Sequence, residues 1–143
     1  GNIMQIKEIM TRGIEAIQPE ATIQEAAEKM RMLDIGVIPV CENGQLLGML
    51  TDRDITVRAT AGGSDPAEIT VREVMTPDII CCFEDQDVEE AASLMEERQI
   101  RRLLVLTRDK QMVGMVSIGD LALCTNDQKL AGQTLGQVSA NRT

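Results

Sequence analysis

Two short stretches carry the residue types with the most chemical content, Gly48-Met49-Leu50-Thr51-Asp52-Arg53-Asp54 and Gly114-Met115-Val116-Ser117-Ile118-Gly119-Asp120. In each, an apolar run ends at a hydroxyl residue and a carboxylate follows three positions later. That spacing suits two roles. The hydroxyl can cap a helix while the acid in its first turn complements the helix dipole. Alternatively, the free amides of a helix N-terminus can meet a polar ligand while the aspartate accepts two hydroxyl hydrogen bonds from a diol such as ribose. Residue chemistry alone leans toward capping and leaves both roles open.

Composition narrows the remaining chemistry. The 143-residue chain has no His, Trp or Tyr, and Phe83 is its one aromatic residue. Histidine relays, histidine proton shuttles and His-ligated zinc are therefore excluded, as are aromatic stacking platforms for single-stranded nucleic acid. Neither a phosphate-loop sequence nor G-x-G-x-x-G occurs, so the chain reads as a binding protein and not an enzyme. Fourteen Lys and Arg against 23 Asp and Glu give a net charge of −9. Such a field repels nucleic-acid polymers and anionic membranes, although a local cation cluster can still hold a small anion.

Cys41, Cys81, Cys82 and Cys124 have no C-x-x-C spacing, and the adjacent Cys81-Cys82 pair is poorly suited to chelating one tetrahedral ion. Cys41, Cys81 and Cys82 lie in apolar runs, where cysteine acts as a small hydrophobe, so no metal is expected. A thiol-based redox or metal-responsive protein is the alternative reading. No apolar run approaches the roughly 18 residues of a spanning helix, and the amino end lacks a charged-then-apolar leader, so the expected location is the cytoplasm.

The elements that must position the two motifs repeat. Ile6 to Glu42 aligns with Val71 to Thr107 at a shift of 65, with identities that include Met10/Met75, Thr11/Thr76, Ile14/Ile79, Met30/Met95 and Val40/Val105. One inserted residue near Asp109 moves the shift to 66, which aligns the two motifs. The boundaries read as repeats over 6–61 and 71–125, a linker over 62–70 containing Gly62-Gly63-Ser64-Asp65-Pro66, and a polar tail over 126–143 that starts as helix.

Each repeat has the same grammar. Thr22-Ile23-Gln24-Glu25 and Asp87-Val88-Glu89-Glu90 are capping boxes. Helical stripes follow, Ile23, Ala26, Ala27 and Met30 in one repeat and Val88, Ala91, Ala92 and Met95 in the other. Next come hairpins, Val37 to Cys41 with Gln45 to Leu50, and Leu103 to Leu106 with Gln111 to Val116. Pro39 has no amide donor, so its strand is expected at an edge or bulged there. A short strand is expected near Ile14 to Ile17, and a second helix after Thr51 and after Ser117. The fold class is mixed α/β (α+β), with two such repeats packed sheet to sheet over a shared core, since one alone exposes too much apolar surface.

This multi-part pattern resembles the CBS domain. It comprises Met-Thr before the first strand, the capped helix, Ile35-Gly36-Val37-Ile38-Pro39-Val40 and the Gly-h-h-Thr/Ser-x-x-Asp ending. Two copies over Ile6 to Leu123 resemble a CBS pair, or Bateman module, of the stand-alone bacterial kind. The resemblance implies pseudo-twofold symmetry and two clefts between repeats that bind adenosine-containing ligands: AMP, ADP, ATP or S-adenosylmethionine. The implied function is that of a regulatory sensor that needs no cofactor and forms a homodimer, with an unidentified regulated protein as a further partner.

Carried over by position, Asp120 and Ser117 would share one cleft with Thr11, Ala16, Ile35, Gly36, Arg101, Arg102 and Met115. Asp54 and Thr51 would share the other with Met49, Arg53, Thr76, Cys81, Ile100 and Arg101. Related modules that bind phosphorylated adenosines place basic residues at the start of the second strand. Here Arg101-Arg102 stands at that point in the second repeat, whereas the first has Gly36-Val37. The Asp120 cleft is therefore expected to be the tighter nucleotide site. Arg98, Arg101 and Arg102 also follow a helix C-terminus, where cations favour the dipole without any ligand.

Overall fold

Local sequence explains most elements of the computed structural model, which describes residues 4–128. The tail expected over 126–143 lies outside the described residues beyond Gln128. Helix α1 (Ile23–Leu33) opens at the Thr22 capping box, where the Glu25 amide donates to Thr22 Oγ1 at 3.1 Å, and ends at Asp34 in the left-handed region. Strands β1 (Val37–Glu42) and β2 (Gln45–Thr51) form an antiparallel hairpin. Asn43 and Gly44, with φ of 54° and 82°, make its two-residue turn. A short α2 (Asp52–Asp54) continues as a π-helical segment (Ile55–Thr60), and α3 (Val71–Val74) follows after the linker.

The second repeat contributes β3 (Cys81–Phe83), α4 (Val88–Arg98), β4 (Arg102–Leu106), β5 (Met112–Ser117) and α5 (Ile118–Gln128). Strand β3 pairs parallel with β4, and β4 pairs antiparallel with β5. Helix α4 opens on the Asp87 capping box and ends at Gln99, the left-handed counterpart of Asp34.

The chain folds into two compact units whose edges are not those of the sequence repeats. One unit is Glu15–Ile79; the other joins Gly1–Ile14 to Ile80–Thr143. The crossings fall at Ile14 and Ile79, an identical pair in the duplication. Each repeat thus gives its leading segment to the unit built from the other repeat's hairpin.

In the Glu15–Ile79 unit, Val71 and Val74 are buried with Ile23, Ala26, Met30, Ile38, Val40 and Leu50. In the other, Ile6 and Met10 are buried with Val88, Ala91, Met95, Leu103, Val105 and Val116. Buried residues therefore form a cluster within each unit, where one shared core was expected. The exchanged turn supplies the apolar cover that a repeat lacks. The linker is built into the first unit: Ile23 and Gln24 donate backbone hydrogen bonds to Ile69 and Pro66.

Three local expectations change. The strand expected near Ile14 to Ile17 is a single parallel bridge between Ile17 and Val40, whereas its counterpart β3 pairs three residues with β4. Pro39 stands where β4 has Leu104, the partner of Cys81, and without an N–H it cannot extend the ladder. The β1 register shift falls between Val40 and Cys41, and β4 shifts at the equivalent Val105 and Leu106 without a proline. The bulge is thus a property of the repeat, not of Pro39. Finally, Ala27 is exposed while Ala92 is buried, so α4 presents a wider buried stripe than α1.

Gly114 and Gly48 mark where the exchanged segments dock. A Cβ on Gly114 would lie 2.6 Å from the Thr11 carbonyl oxygen and 2.9 Å from Met10 Sδ; on Gly48 it would lie 2.8 Å from the Thr76 oxygen and 2.9 Å from Met75 Sδ. Backbone cannot yield as a side-chain tip can. Gly114→Ala should therefore lower stability by roughly 1–3 kcal/mol. Gly119→Ala, in α5 with Ser117 Oγ at 3.5 Å as its nearest neighbour, should instead raise stability by up to about 1 kcal/mol. Urea midpoints of the two variants moving in the same direction would contradict this account.

Candidate functional site

Both motifs begin where a hairpin strand runs into a helix. In the first, the Asp54 amide donates to Thr51 Oγ1 at 3.0 Å and the Thr51 amide donates to Asp54 Oδ2 at 3.0 Å. In the second, the Asp120 amide donates to Ser117 Oγ at 3.1 Å and the Ser117 amide donates to Asp120 Oδ2 at 2.8 Å. The capping role is realised twice, which fixes each carboxylate at the opening of its helix.

The exchanged segments bring a threonine to each motif. Thr11 and Met115 exchange backbone hydrogen bonds at 2.8 and 2.9 Å, and Thr76 and Met49 do the same at 2.8 and 2.9 Å. In the Glu15–Ile79 unit the Thr76 hydroxyl donates onward to Asp54, 3.2 Å from Oδ1 and 3.4 Å from Oδ2. Arg58 Nε stands 3.9 Å from Asp54 Oδ1, and its Nη1 donates to the carbonyls of Val74 and Met75 at 3.1 and 3.2 Å. Asp54 is only 8% exposed.

The other unit differs at every one of these points. Asp120 is half-buried, Thr11 is exposed, and among the described residues the Asp120 carboxylate accepts a hydrogen bond from the Ser117 amide alone. The β4/β5 register sets Arg102 opposite Ser117, and the Ile118 amide donates to the Arg101 carbonyl at 3.0 Å. Both arginines are exposed. Their charge therefore stands on the strand beside the mouth of α5.

Of the residues expected with Asp120, Thr11, Arg101, Arg102, Met115 and Ser117 share its unit. Ala16, Ile35 and Gly36 belong to the other, where the Ala16 carbonyl accepts from Lys29 Nζ at 2.8 Å. A Cβ on Gly36 would lie 3.2 Å from Asp52 Oδ2. Of those expected with Asp54, Met49, Thr51, Arg53 and Thr76 share its unit, and Cys81, Ile100 and Arg101 belong to the other.

Arg58 is the residue that sequence reasoning missed. The available signal was its alignment with Cys124, a cation where the other repeat buries a thiol. The π-helical turn accommodates that difference. It moves the buried position to Ala59 and leaves Arg58 outside the core.

Comparison with known proteins adds the following. A family model described as CBS domain matches residues 6–59 and 71–124. The CBS domain-containing protein YhcV of Bacillus subtilis is 41% identical over 134 residues, 94% of each chain. Among solved structures, Hypoxic Response Protein I, crystallised with two coordinated zinc ions, superposes with a TM-score of 0.75 at 34% identity, covering 85% of this chain and 99% of its own. The CBS domain pair of protein MJ0100, in complex with 5-methylthioadenosine and S-adenosyl-L-methionine, gives 0.67 at 26% identity, covering 88% and 98%.

Among the described residues, no three His, Cys, Asp or Glu side chains are grouped to hold a metal ion. Burial disfavours the thiolate form at three of the cysteines. Burial, with a smaller contribution from Cys81, pushes the Cys82 thiol from 9.0 up to about 12. Burial likewise raises Cys41, and it raises Cys81 against an opposing pull from Lys110.

In native protein at pH 8, iodoacetamide should leave Cys82 unmodified and label Cys41 and Cys81 more slowly than after unfolding, as read by mass spectrometry. Because the folded Cys82 pKa lies above its unfolded value, its stabilising contribution is complete below about pH 9 and is lost as pH rises toward about 12. The urea midpoint should fall across that window. Rapid native labelling of Cys82 would contradict the buried, protonated thiol.

Proposed function

Because the chain belongs to the CBS-domain family and carries two CBS repeats, we propose that it is a non-catalytic regulatory module that binds adenosine-containing ligands, with phosphorylated ones held first at the Ser117-Asp120 motif. In this reading residues 6–61 and 71–125 are the repeats and 62–70 joins them. The nucleotide is a regulatory ligand, and no other cofactor is required. Its effect on an unidentified partner requires differential affinity for two states of the module.

The observation that carries the proposal is the β4/β5 register, which sets Arg102 opposite Ser117 with Asp120 three residues further on. One carboxylate oxygen of Asp120 is committed to the cap, and among the described residues the other accepts no hydrogen bond, which leaves it for ribose hydroxyls. Guanidinium groups can meet phosphate through parallel charge-assisted hydrogen bonds, worth about 1.5–3 kcal/mol each. The first repeat offers Gly36 and Val37 at the equivalent positions. With no aromatic side chain but Phe83, adenine would be held by aliphatic side chains and backbone hydrogen bonds. The solved adenosine-ligand complex of the MJ0100 pair supports the ligand class.

Two further parts of the proposal rest on the surface and the thiols. No disulfide joins the cysteines among the described residues, which suits a reducing compartment such as the cytoplasm. Val57 and Leu123, at equivalent positions of the two second helices, are 54% and 64% exposed, which supports a homodimer formed through those helices.

Calorimetric titration with AMP, ATP and S-adenosylmethionine tests the ligand reading. Asp120→Ala should weaken AMP at least tenfold, and Arg101→Gln with Arg102→Gln should weaken ATP roughly 10- to 100-fold while sparing adenosine. No adenosine ligand binding below millimolar, or an unchanged affinity in Asp120→Ala, would defeat it. Sedimentation equilibrium should give a dimer for the wild type and a monomer for the Val57→Glu, Leu123→Glu double variant. A wild-type monomer would remove the assembly from the proposal.

A further inference from the structure

The two motifs, alike in sequence, differ in how much acceptor capacity they retain. A carboxylate offers about four acceptor positions, and a ribose diol needs two of them. At Asp54, Oδ2 accepts from the Thr51 amide at 3.0 Å and Oδ1 accepts from the Thr76 hydroxyl at 3.2 Å. The Arg58 guanidinium stands 3.9 Å from the same Oδ1. That guanidinium is itself anchored on the Val74 and Met75 carbonyls at the end of α3, beside Thr76. Asp54 itself is 8% exposed, while the Arg58 side chain that covers it faces solvent over half its surface. Asp52, with no acidic counterpart at Ile118, adds a second carboxylate to the short helix that carries Asp54.

At Asp120 the lock is absent. Cys124 replaces Arg58, Thr11 is exposed, and the carboxylate accepts from Ser117 alone among the described residues. The geometry points to a division of labour: Asp54, Thr76 and Arg58 form an intramolecular lock that withdraws the first motif from ligand binding, so that the chain takes one phosphorylated adenosine, at Asp120. The stoichiometry rests on the ligand reading above; the lock does not. A ribose reaching Asp54 would have to compete with the Arg58 guanidinium for the remaining acceptor positions or displace the Thr76 hydroxyl, and one hydrogen bond lost costs about tenfold in affinity before the buried carboxylate is uncovered. The lock also ties the exchanged segment of the second repeat to the first motif's helix. It is therefore a fastening of the fold as well as a closure of the site.

Two measurements on the full chain decide this. Calorimetry with AMP should give one equivalent per wild-type chain and none for Asp120→Asn, and Arg58→Met should retain the wild-type equivalent within twofold in affinity. Thermal unfolding should show Tm reduced by about 4 °C or more in Asp54→Asn and in Thr76→Val, with the double variant little worse than either. If Asp54→Asn does not fold, the Arg58→Met and Thr76→Val pair provides the same non-additivity. Two AMP equivalents per wild-type chain would overturn the single site. Strictly additive Tm losses would overturn the lock. If AMP does not bind at all, the ligand reading falls while the Tm cycle still decides the lock.

Discussion

Everything chemically interesting in this protein depends on a backbone contact: Met10-Thr11 against Gly114-Met115, and Met75-Thr76 against Gly48-Met49. The approach is so close that no side chain fits at the glycine, and paired amide and carbonyl groups lock the two segments together. The same contact does two jobs. It buries Ile6 and Met10 in one unit and Val71 and Val74 in the other, and it delivers a threonine to the mouth of each second helix. A repeat of about sixty residues has too little apolar area to close on itself. Exchange of the leading turn supplies what is missing.

The duplication then diverges through a few substitutions with clear physical consequences. Pro39 and Pro19, where the other repeat has Leu104 and Glu84, each remove an amide donor, and a three-residue strand pairing shrinks to one bridge. Arg58 in place of Cys124 is accommodated by a π-helical turn, which places a guanidinium where it can reach both α3 carbonyls and the Asp54 carboxylate. Arg101 and Arg102 in place of Gly36 and Val37 give one unit a cationic strand end, while Asp52 in place of Ile118 gives the other an extra carboxylate. Two copies of one motif are thereby given different electrostatics without any change in the capping boxes that hold them.

Local signals made much of the fold legible. The boxes at Thr22, Asp87, Thr51 and Ser117 are hydrogen-bond patterns that span three residues, and all four form as the spacing requires. The Asn43-Gly44 turn needs positive φ, which those residues tolerate best. Where the reading faltered, the deciding partner was distant in sequence. Ala27 and Ala92 look alike along the helix, yet one is exposed and the other buried. Thr76 and Thr11 are an identical pair, yet one donates to a carboxylate and the other stands exposed.

The sequence by itself determined the duplication, the family, the capped helices and hairpins, and the positions of the motif carboxylates, because each rests on contacts between residues close along the chain. Tertiary structure decided which segment completes which unit and how many acceptor positions each aspartate retains. Those properties turn on groups distant along the chain meeting within hydrogen-bond reach: Thr11 with Met115, and Thr76 with Asp54. Periodicity cannot supply such a distance. Only packing, by setting α3 beside the first motif and leaving the second motif's threonine exposed, separates a carboxylate that accepts from a threonine hydroxyl from one that accepts, among the described residues, from its own cap alone.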